Sequence, residues 1–524
     1  MKLLKSSAIV GSMTLLSRVL GLVRDILLAR YLGAGVINDA LITATKLPNL
    51  FRRMFAEGAF NAAFIPLYAR RLEGNGEADA DNFAGEAFAA LFFLVALIVV
   101  AFQLTMPISL NLIGGGLEKV ASGPDGVVPY DLAVLYARVT MPYLIFMSLG
   151  ALFSGMLNTK NHFAIAAFAP VFLNVVWIGL LTAQVLIHFP PERLALCLAA
   201  GMTVSGLMQV AILIYGLRRA AIKLPLKRPR LTPGVKRLFT LGVPGLIAAG
   251  ITQINLLVTH NIATLKPGAP SWLYYSDRLY QLPLGMIGIA LGIALLPTLS
   301  RSLRASRHDE AMLTLNRAAE IAAFLTLPAA FALFLIPDFL ISTLFERGRF
   351  LASDSLQTAK ALRMFALGLP AFVLIKVLTP TFFAREDTRT PMIFASASAI
   401  VNAALGFILF FTIGFYGLAL ATTLAAWGNV ICLAAAQRKR GHFKLDAALK
   451  RSVPKMIIAS AIMGAAVYYL AQTSEPFMRG IMLWDYMIMI AVCGLGAVIY
   501  VALAMVLRIF RLSEMKDAFS KRGA

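Results

Sequence analysis

The chain has 524 residues, of which 59% are hydrophobic and 14% charged, and its mean hydropathy is +0.78. These values exclude an ordinary water-soluble globular protein and predict a polytopic membrane protein. The 48 Lys and Arg against 26 Asp and Glu give a net charge of +22. Such an excess is typical of nucleic-acid-binding proteins, but in a membrane protein it also marks cytoplasmic loops, so its distribution along the chain decides between the two.

Apolar runs bounded by charged or Gly- and Pro-rich turns predict fourteen transmembrane helices, because one span needs about 20 apolar residues. The runs lie at 7–32, 36–68, 83–112, 131–157, 163–188, 193–217, 237–263, 270–299, 311–336, 355–382, 390–413, 416–437, 453–472 and 482–508. The predicted fold class is therefore an all-α polytopic membrane protein with about 14 spans.

The basic residues are distributed unequally between the two sets of loops. An even number of spans places both termini on one side of the membrane, and loops on that side hold 29 Lys and Arg against 6 on the other. The positive-inside rule therefore predicts cytoplasmic termini. Because the basic excess is spread over many short loops, it is explained by topology, and we expect no nucleic-acid partner.

Two lobes are predicted from an internal repeat. Segment 64–70 resembles segment 295–301, each preceded by a Leu-Pro pair, and six spans separate them. A repeat of six spans keeps the same orientation, so the lobes should be related by an axis along the membrane normal. The predicted regions are an N-terminal lobe at 1–218, a basic Pro-containing cytoplasmic linker at 219–236, a C-terminal lobe at 237–437, a C-terminal helix pair at 453–508 and a basic cytoplasmic tail at 509–524.

Charged residues inside the first two spans indicate the binding site. Residues 18–57 carry six positive and three negative charges, although an Arg at the bilayer centre costs between about 2.5 and more than 10 kcal/mol. A surplus of guanidinium groups in a hydrated cavity suits a multiply charged anion such as a pyrophosphate, which the planar Arg fork binds in bidentate fashion. The candidate binding residues are Arg18, Arg24, Arg52 and Arg53, with Arg278 on the eighth span.

Polar residues on the second span recur every three or four positions, which predicts one wet helix face. The supporting acidic and polar residues are Asp25, Asp39, Lys46, Asn49, Glu57, Asn61 and Asp277. Two other interpretations remain open. The arginines could form an ion-pair network that only holds helices together, and Arg30 and Lys46 could extend to the lipid headgroups.

The sequence lacks the motifs of ATP-driven or metal-dependent chemistry. It has no GxxxxGK[ST] loop, its five His are scattered without metal-ligand spacing, and its three Cys form no CxxC pair. We therefore predict no catalytic residues, no bound metal and no cofactor. If transport is energised, the source should be the membrane potential or an ion gradient.

The charged segments also carry a family resemblance, which extends over essentially the whole chain. The segments are Ser17-Arg18-Val19-Leu20-Gly21 with Arg24-Asp25, Lys46-Leu47-Pro48-Asn49-Leu50-Phe51-Arg52-Arg53, Phe55-Ala56-Glu57-Gly58-Ala59-Phe60, Tyr274-Tyr275-Ser276-Asp277-Arg278-Leu279, Leu344-Phe345-Glu346-Arg347-Gly348-Arg349-Phe350 and Arg385-Glu386-Asp387-Thr388-Arg389-Thr390-Pro391. Together they resemble the MurJ (MviN) lipid II flippases of the multidrug/oligosaccharidyl-lipid/polysaccharide exporter superfamily.

The resemblance implies a multi-pass protein of the bacterial inner membrane that moves lipid II by alternating access for cell-wall biosynthesis. It implies two six-helix lobes around a cationic cavity, whose arginines match the five named above, and a C-terminal helix pair that forms a groove for the polyprenyl tail. Lipid II and membrane lipids are the implied partners, and no protein partner is indicated. Residues 238–263 and 392–413 contain no Asp or Glu, so we do not expect the sodium site described in some relatives and favour direct use of the membrane potential.

Three alternative functions are consistent with parts of the sequence. An exporter of another polyprenyl-linked polysaccharide, or of a drug, would share the superfamily, although a drug exporter would typically have twelve spans and prefer cations. A membrane glycosyltransferase acting on lipid-linked sugars would need an external carboxylate, for which loop 113–130 offers Glu118 and Asp125. A purely structural scaffold would give no reason to retain arginines inside spans.

Overall fold

The computed structural model describes residues 2–54, 60–119, 128–305, 307–478 and 480–509, which form nineteen α-helices and two short 3-10 helices without any strand. The first ten helices are α1 Lys2–Leu32, α2 Val36–Met54, α3 Phe60–Gly74, α4 Glu77–Leu104, α5 Met106–Gly114, α6 Pro129–Thr140, α7 Tyr143–Thr159, α8 Phe163–Phe168, α9 Val171–Ile187 and α10 Pro191–Arg219. The others are α11 Pro233–Ala263, α12 Ala269–Arg304, α13 His308–Leu335, α14 Pro337–Phe345, α15 Ala352–Phe383, α16 Arg389–Ile413, α17 Tyr416–Lys439, α18 Ala447–Ser474 and α19 Met482–Val506. The predicted all-α class is confirmed.

Ten stretches of the described chain are long and apolar enough to cross a membrane. Seven are single helices, and three join consecutive segments: α6 with α7, α8 with α9, and α18 with the 3-10 turn that follows it. The helices α1, α2, α11 and α12, which the sequence also predicts as spans, are not among the ten. For α2 the reason is its charge, because Asp39, Lys46, Arg52 and Arg53 lower its hydropathy. The count of fourteen stays a prediction.

The first compact unit comprises Met1–Ser271 together with Arg347–Phe350. Its centre is α10, which packs against α6, α7 and α9. Small residues permit this close packing: a Cβ at Gly201 would meet the side chain of Leu180 at 2.7 Å, and one at Gly206 would meet Tyr143 at 2.7 Å. Around this centre, α1 packs on α8 and α9, while α2 packs on α6, α7, α10 and α11.

The segment between α10 and α11 belongs to the first unit and is held to α4 by hydrogen bonds and an ion pair. The backbone N–H of Lys223 donates to Asp81 (3.0 Å), and Glu86 accepts from the Thr232 hydroxyl (2.7 Å) and pairs with Lys227 (3.3 Å). The first unit also includes α11, whereas the sequence assigns residues 237–263 to the second lobe. The lobe boundaries drawn from the sequence stay a prediction.

The second compact unit comprises Trp272–Glu346 and Leu351–Ala524. Its helix α15 packs against α13, α14 and α17, and α16 covers α17. Leu315, Leu378 and Leu433 are nearly inaccessible in its apolar core. The two C-terminal helices attach to this unit, because α18 packs on α13 and α19 packs on α18 and α14.

Residues 347–350 return to the first unit through a close backbone contact with the end of α1. The N–H of Arg349 donates to the carbonyl of Arg30 (2.9 Å). Gly33 and Gly348 both have positive φ, +68° and +63°, which an L residue adopts only with strain. A Cβ on Gly348 would lie 2.3 Å from the Arg30 oxygen, and one on Gly33 would lie 2.4 Å from the Arg349 oxygen. Both glycines are therefore required for this approach.

We expect Gly348→Ala to destabilise the protein for two reasons. An Ala in the left-handed conformation costs about 1–2 kcal/mol, and its Cβ would clash with the Arg30 carbonyl. Gly76→Ala is the matched control: Gly76 has φ +85°, but a Cβ added there would have no neighbour within 4 Å. Thermal unfolding in detergent should show a larger loss for Gly348→Ala than for Gly76→Ala. Equal losses would show that the contact with α1 contributes nothing.

Candidate functional site

Arg24 lies inside the first unit and is held by two helices. Its Nε and Nη2 donate to the Oδ1 atom of Asp25 (3.0 and 2.7 Å), and its Nη1 donates to the Asn174 Oδ1 atom on α9 (3.0 Å). Its guanidinium carbon lies 5.3 Å from the centre of the Trp177 ring. Both charged side chains are buried, with exposed fractions of 9% for Arg24 and 2% for Asp25. The two predicted residues therefore form one buried ion pair.

Asn174 connects two turns of α1. While its oxygen accepts from Arg24, its Nδ2 donates to the carbonyl of Ser17 (3.0 Å). Neither Asn174 nor Trp177 is among the residues predicted from the sequence. A signal was available for Asn174, because an amide side chain inside an apolar run such as that of α9 must find a hydrogen-bonding partner when it is buried. Arg18, on the same helix as Arg24, is half-buried.

The polar face of α2 is divided into a buried half and a more accessible half. Asp39 and Thr43 have no exposed surface, and the Thr43 hydroxyl lies 2.9 Å from His260 Nε2 on α11. Lys46, Asn49 and Arg52 are half-buried, and Arg53 is exposed. The prediction of one continuous wet face is therefore wrong for the first two turns, because α11 and the start of α12 cover them.

Asp39 caps the beginning of α12. Its carboxylate accepts hydrogen bonds from the backbone N–H of Gly268 (2.6 Å), the backbone N–H of Ser271 (3.0 Å) and the Ser271 hydroxyl (2.6 Å). A carboxylate at this position satisfies N–H groups that have no partner within the helix and faces the positive end of the helix dipole. The neighbouring residue Asn38 donates to the Ser271 hydroxyl (3.1 Å). Through these contacts Asp39 joins α2 to the beginning of α12 and therefore has a structural role.

The remaining predicted residues of the first unit lie beyond this cap. Arg52 Nε donates to the Asn49 side-chain oxygen (3.3 Å), one turn back on α2. Asn61 is half-buried on α3, where its oxygen lies 3.3 Å from the position that a Cβ on Gly155 would take. Glu57 lies outside the described residues.

Arg278 belongs to the second unit and is ordered by its own helix. Its Nη2 donates to the Tyr274 hydroxyl (3.1 Å), and its guanidinium lies 4.7 Å from the centre of the same ring. Asp277 accepts a hydrogen bond from Gln281 one turn later. The Arg278 side chain is half-buried. Its hydrogen bond to Tyr274 and its contact with the same ring together restrict the orientation of the guanidinium group.

A second charged cluster lies in the loop between α15 and α16. Asp387 pairs with Arg440 (2.6 Å) and accepts from the backbone N–H of Thr390 (2.9 Å). The hydrogen bonds from Arg440 and Thr390 hold the pKa of the Asp387 carboxyl well below its usual value. Burial lowers the pKa of the nearby Arg385. These contacts join the loop to the end of α17 and give the charged run 385–391 a structural function in the second unit.

Within the described residues, no group of three or more His, Cys, Asp or Glu is placed to hold a metal ion. The candidate binding groups are the polar and charged side chains of α1 and α2 in the first unit and of α12 in the second. On the part of the chain that the structure describes, these groups suit anion binding and include no metal centre.

Comparison with known proteins identifies the family of the chain. The family model described as lipid II flippase MurJ matches residues 28–488. The chain belongs to the MurJ family of lipid II flippases. A probable lipid II flippase MurJ of Rhizobium meliloti (strain 1021) is 45% identical over 469 residues, covering 89% of this chain and 86% of that protein. The resemblance of the sequence to this family is confirmed.

Solved structures support the same assignment. A lipid II flippase MurJ in an inward closed conformation has a TM-score of 0.77 at 25% identity and covers 95% of this chain and 98% of that one. An inward-facing multidrug resistance MATE transporter of the MOP superfamily has a TM-score of 0.65 at 15% identity, covering 88% and 96%, and shows the fold alone. The MurJ-family protein is therefore an inner-membrane transporter and not an enzyme, so the glycosyltransferase alternative is excluded.

We expect Asp39→Asn to destabilise the first unit. The amide group replaces one carboxylate oxygen with a donor that opposes the backbone N–H groups of Gly268 or Ser271, at a cost of about 1–3 kcal/mol. Asp131→Asn is the control, because Asp131 is exposed in the first turn of α6, where such a change costs less than about 0.5 kcal/mol. Thermal unfolding in detergent measures both. If the two variants have the same melting temperature, the hydrogen bonds of Asp39 to the start of α12 do not stabilise the fold.

Proposed function

We propose that this protein moves lipid II from the cytoplasmic to the periplasmic leaflet by alternating access, for peptidoglycan synthesis. The observation that carries the proposal is that a chain matched to the lipid II flippase MurJ family over residues 28–488 carries a cluster of charged residues on α1 and α2. A lipid-facing guanidinium group is costly, whereas a guanidinium group facing a hydrated pathway can bind an anion. The termini are proposed to be cytoplasmic.

The pyrophosphate of lipid II is the proposed ligand of Arg24, Arg52 and Arg278, while Arg18 and Arg53 add positive potential. The surroundings of these residues suggest unequal contributions. Arg24 already shares its charge with Asp25 and is fixed by Asn174. Arg52 is half-buried and donates to the amide oxygen of Asn49.

Arg24 also stabilises the fold, so its substitution is not a clean test of ligand binding. Truncating one member of a buried ion pair leaves the other charge uncompensated and typically costs about 3–5 kcal/mol. A loss of transport in Arg24→Ala would therefore mix instability with loss of ligand binding. Arg52 and Arg278 are better test positions, because both are half-buried, whereas Arg24 is buried in an ion pair.

We expect Arg52→Ala and Arg278→Ala to reduce outward transfer of lipid II at least about tenfold, because each removes charge-assisted hydrogen bonds to a pyrophosphate. Arg52→Lys should retain part of the activity, since it keeps the charge without the planar fork. Arg193→Ala, which removes an exposed Arg in the first turn of α10, is the control. The measurement is labelling of lipid-linked precursor by a membrane-impermeant probe in cells depleted of the native protein.

Unchanged labelling in both Arg52→Ala and Arg278→Ala, at equal protein levels, would refute the assigned roles. The family assignment does not depend on this outcome, because it rests on the match to residues 28–488.

The polyprenyl tail is proposed to lie along the C-terminal helix pair. A cavity of about 310 Å³ between α18 and α19 is lined mainly by apolar side chains, including Leu470, Phe477 and Leu495. Large apolar side chains on these helices, among them Tyr469 (68% exposed) and Ile490 (65% exposed), remain open to lipid. An apolar groove beside exposed apolar surface suits an isoprenoid chain that stays in the hydrocarbon phase during transfer.

Transport is proposed to use the membrane potential directly, without sodium. A cytoplasm negative by about 100 mV drives one negative charge outward with about 2.3 kcal/mol, equivalent to roughly fiftyfold in distribution. We therefore expect collapse of the potential in reconstituted vesicles to slow transfer severalfold, whereas replacement of Na⁺ by K⁺ at constant potential should leave the rate unchanged. A rate that follows Na⁺ and ignores the potential would contradict this energy source.

A further inference from the structure

A cavity at the end of α1 is lined by two arginines that are not among the five assigned to pyrophosphate. A cavity of about 210 Å³, here called the Arg30 cavity, is lined by Arg30, Tyr31, Gln184, Phe189, Pro191 and residues 348–349. All of these residues belong to the first unit. The transport mechanism proposed above uses none of them.

Two arginines line this cavity, because a backbone contact holds residues 30 and 349 next to each other. The N–H of Arg349 bonds to the carbonyl of Arg30, and the close approach depends on Gly33 and Gly348. Across the described residues, neither guanidinium group forms a hydrogen bond or an ion pair with another side chain; the Arg30 group lies 5.6 Å from the centre of the Tyr31 ring. Two like charges held at one concave surface create a positive potential that an anion would neutralise.

The part of the lining that comes from α9 and α10 is also held by hydrogen bonds. The Gln184 side chain donates to the carbonyl of Phe189 (2.8 Å) and accepts from its backbone N–H (3.0 Å), which fixes the turn between α9 and α10. The helix α10 begins at Pro191 in the wall, so the positive end of its dipole adds to the potential of the arginines. The backbone on both parts of the lining is therefore fixed by hydrogen bonds.

The position of the cavity indicates the source of the anion. The helix α1 ends at Leu32, α9 ends at Ile187 and α10 begins at Pro191, so the cavity lies where helices end and lipid headgroups are expected. Close to Gln184 along the chain, the apolar side chains of Leu186 and Ile187 are 84% and 52% exposed. A lipid whose phosphate is bound by the arginines could thus lay its acyl chains over this apolar surface.

We propose that the Arg30 cavity binds the phosphate group of a membrane lipid headgroup. The planar guanidinium fork matches phosphate oxygens in bidentate geometry. With the termini in the cytoplasm, as proposed above, α1 ends at the periplasmic face, so the ligand is a lipid of the outer leaflet. Free phosphate offers the same chemistry without the acyl chains, and the experiment separates the two.

The test is titration calorimetry of the purified full-length protein with three probes: dihexanoyl phosphatidylglycerol below its micellar concentration, dihexanoylglycerol, and inorganic phosphate. We expect the phospholipid to bind, its Kd to rise at least about tenfold in Arg30→Ala and in Arg349→Ala, and Arg30→Lys to give an intermediate value, because each alanine removes a charge-assisted phosphate contact. Dihexanoylglycerol and inorganic phosphate should bind at least about tenfold more weakly than the phospholipid. Arg193→Ala, outside the cavity wall, should bind like the native protein.

Phospholipid affinity that is the same in the native protein and in both alanine variants would overturn the site. Inorganic phosphate binding as tightly as the phospholipid would overturn the lipid source, and dihexanoylglycerol binding equally well would overturn phosphate recognition. Thermal unfolding of each variant accompanies the titrations. Since both arginine side chains are exposed, we expect their truncation to leave the melting temperature unchanged, and Arg30→Lys provides a second, milder variant.

Discussion

A charged side chain within an apolar helix bundle must find compensation inside the protein, and Arg24 shows how this requirement organises the first unit. Asp25 supplies the opposite charge from the next residue, and Asn174 supplies a neutral oxygen from α9. Because Asn174 also holds the backbone at Ser17, one buried polar cluster fixes α1 against α9 over two turns. The direction in which the other polar residues of α1 face follows from that contact.

The same requirement separates the buried polar residues of α2 from those that remain accessible. Asp39 and Thr43 are fully buried because α12 and α11 present hydrogen-bonding partners to them. Farther along the helix, Arg52 and Arg53 are increasingly accessible. The first turns of this face therefore hold the fold together, and its last turns carry the residues that we propose to bind the anionic substrate. A count of charges over the whole helix does not distinguish the buried polar residues from the accessible ones.

The loop at 347–350 illustrates how a short segment can belong to a unit that is remote in sequence. Two glycines with positive φ allow the backbone of Arg349 to reach the carbonyl of Arg30. This contact brings two arginines to one cavity at a helix end, where lipid headgroups are expected. Clustered arginines therefore occur at more than one place in the chain, and the Arg30 cavity does not include those proposed to bind pyrophosphate.

The sequence by itself determined the helical class, the membrane location, the family and the polarity of α1 and α2, because hydropathy and charge patterning act locally along the chain. It also identified Arg24 and Asp25 together, since adjacent opposite charges in a span need each other. Tertiary structure alone decided that Asp39 caps α12, that Asn174 and Trp177 hold Arg24, and that Arg30 meets Arg349. These contacts join residues that are remote in sequence or depend on backbone approach, and neither property leaves a periodic signal in sequence.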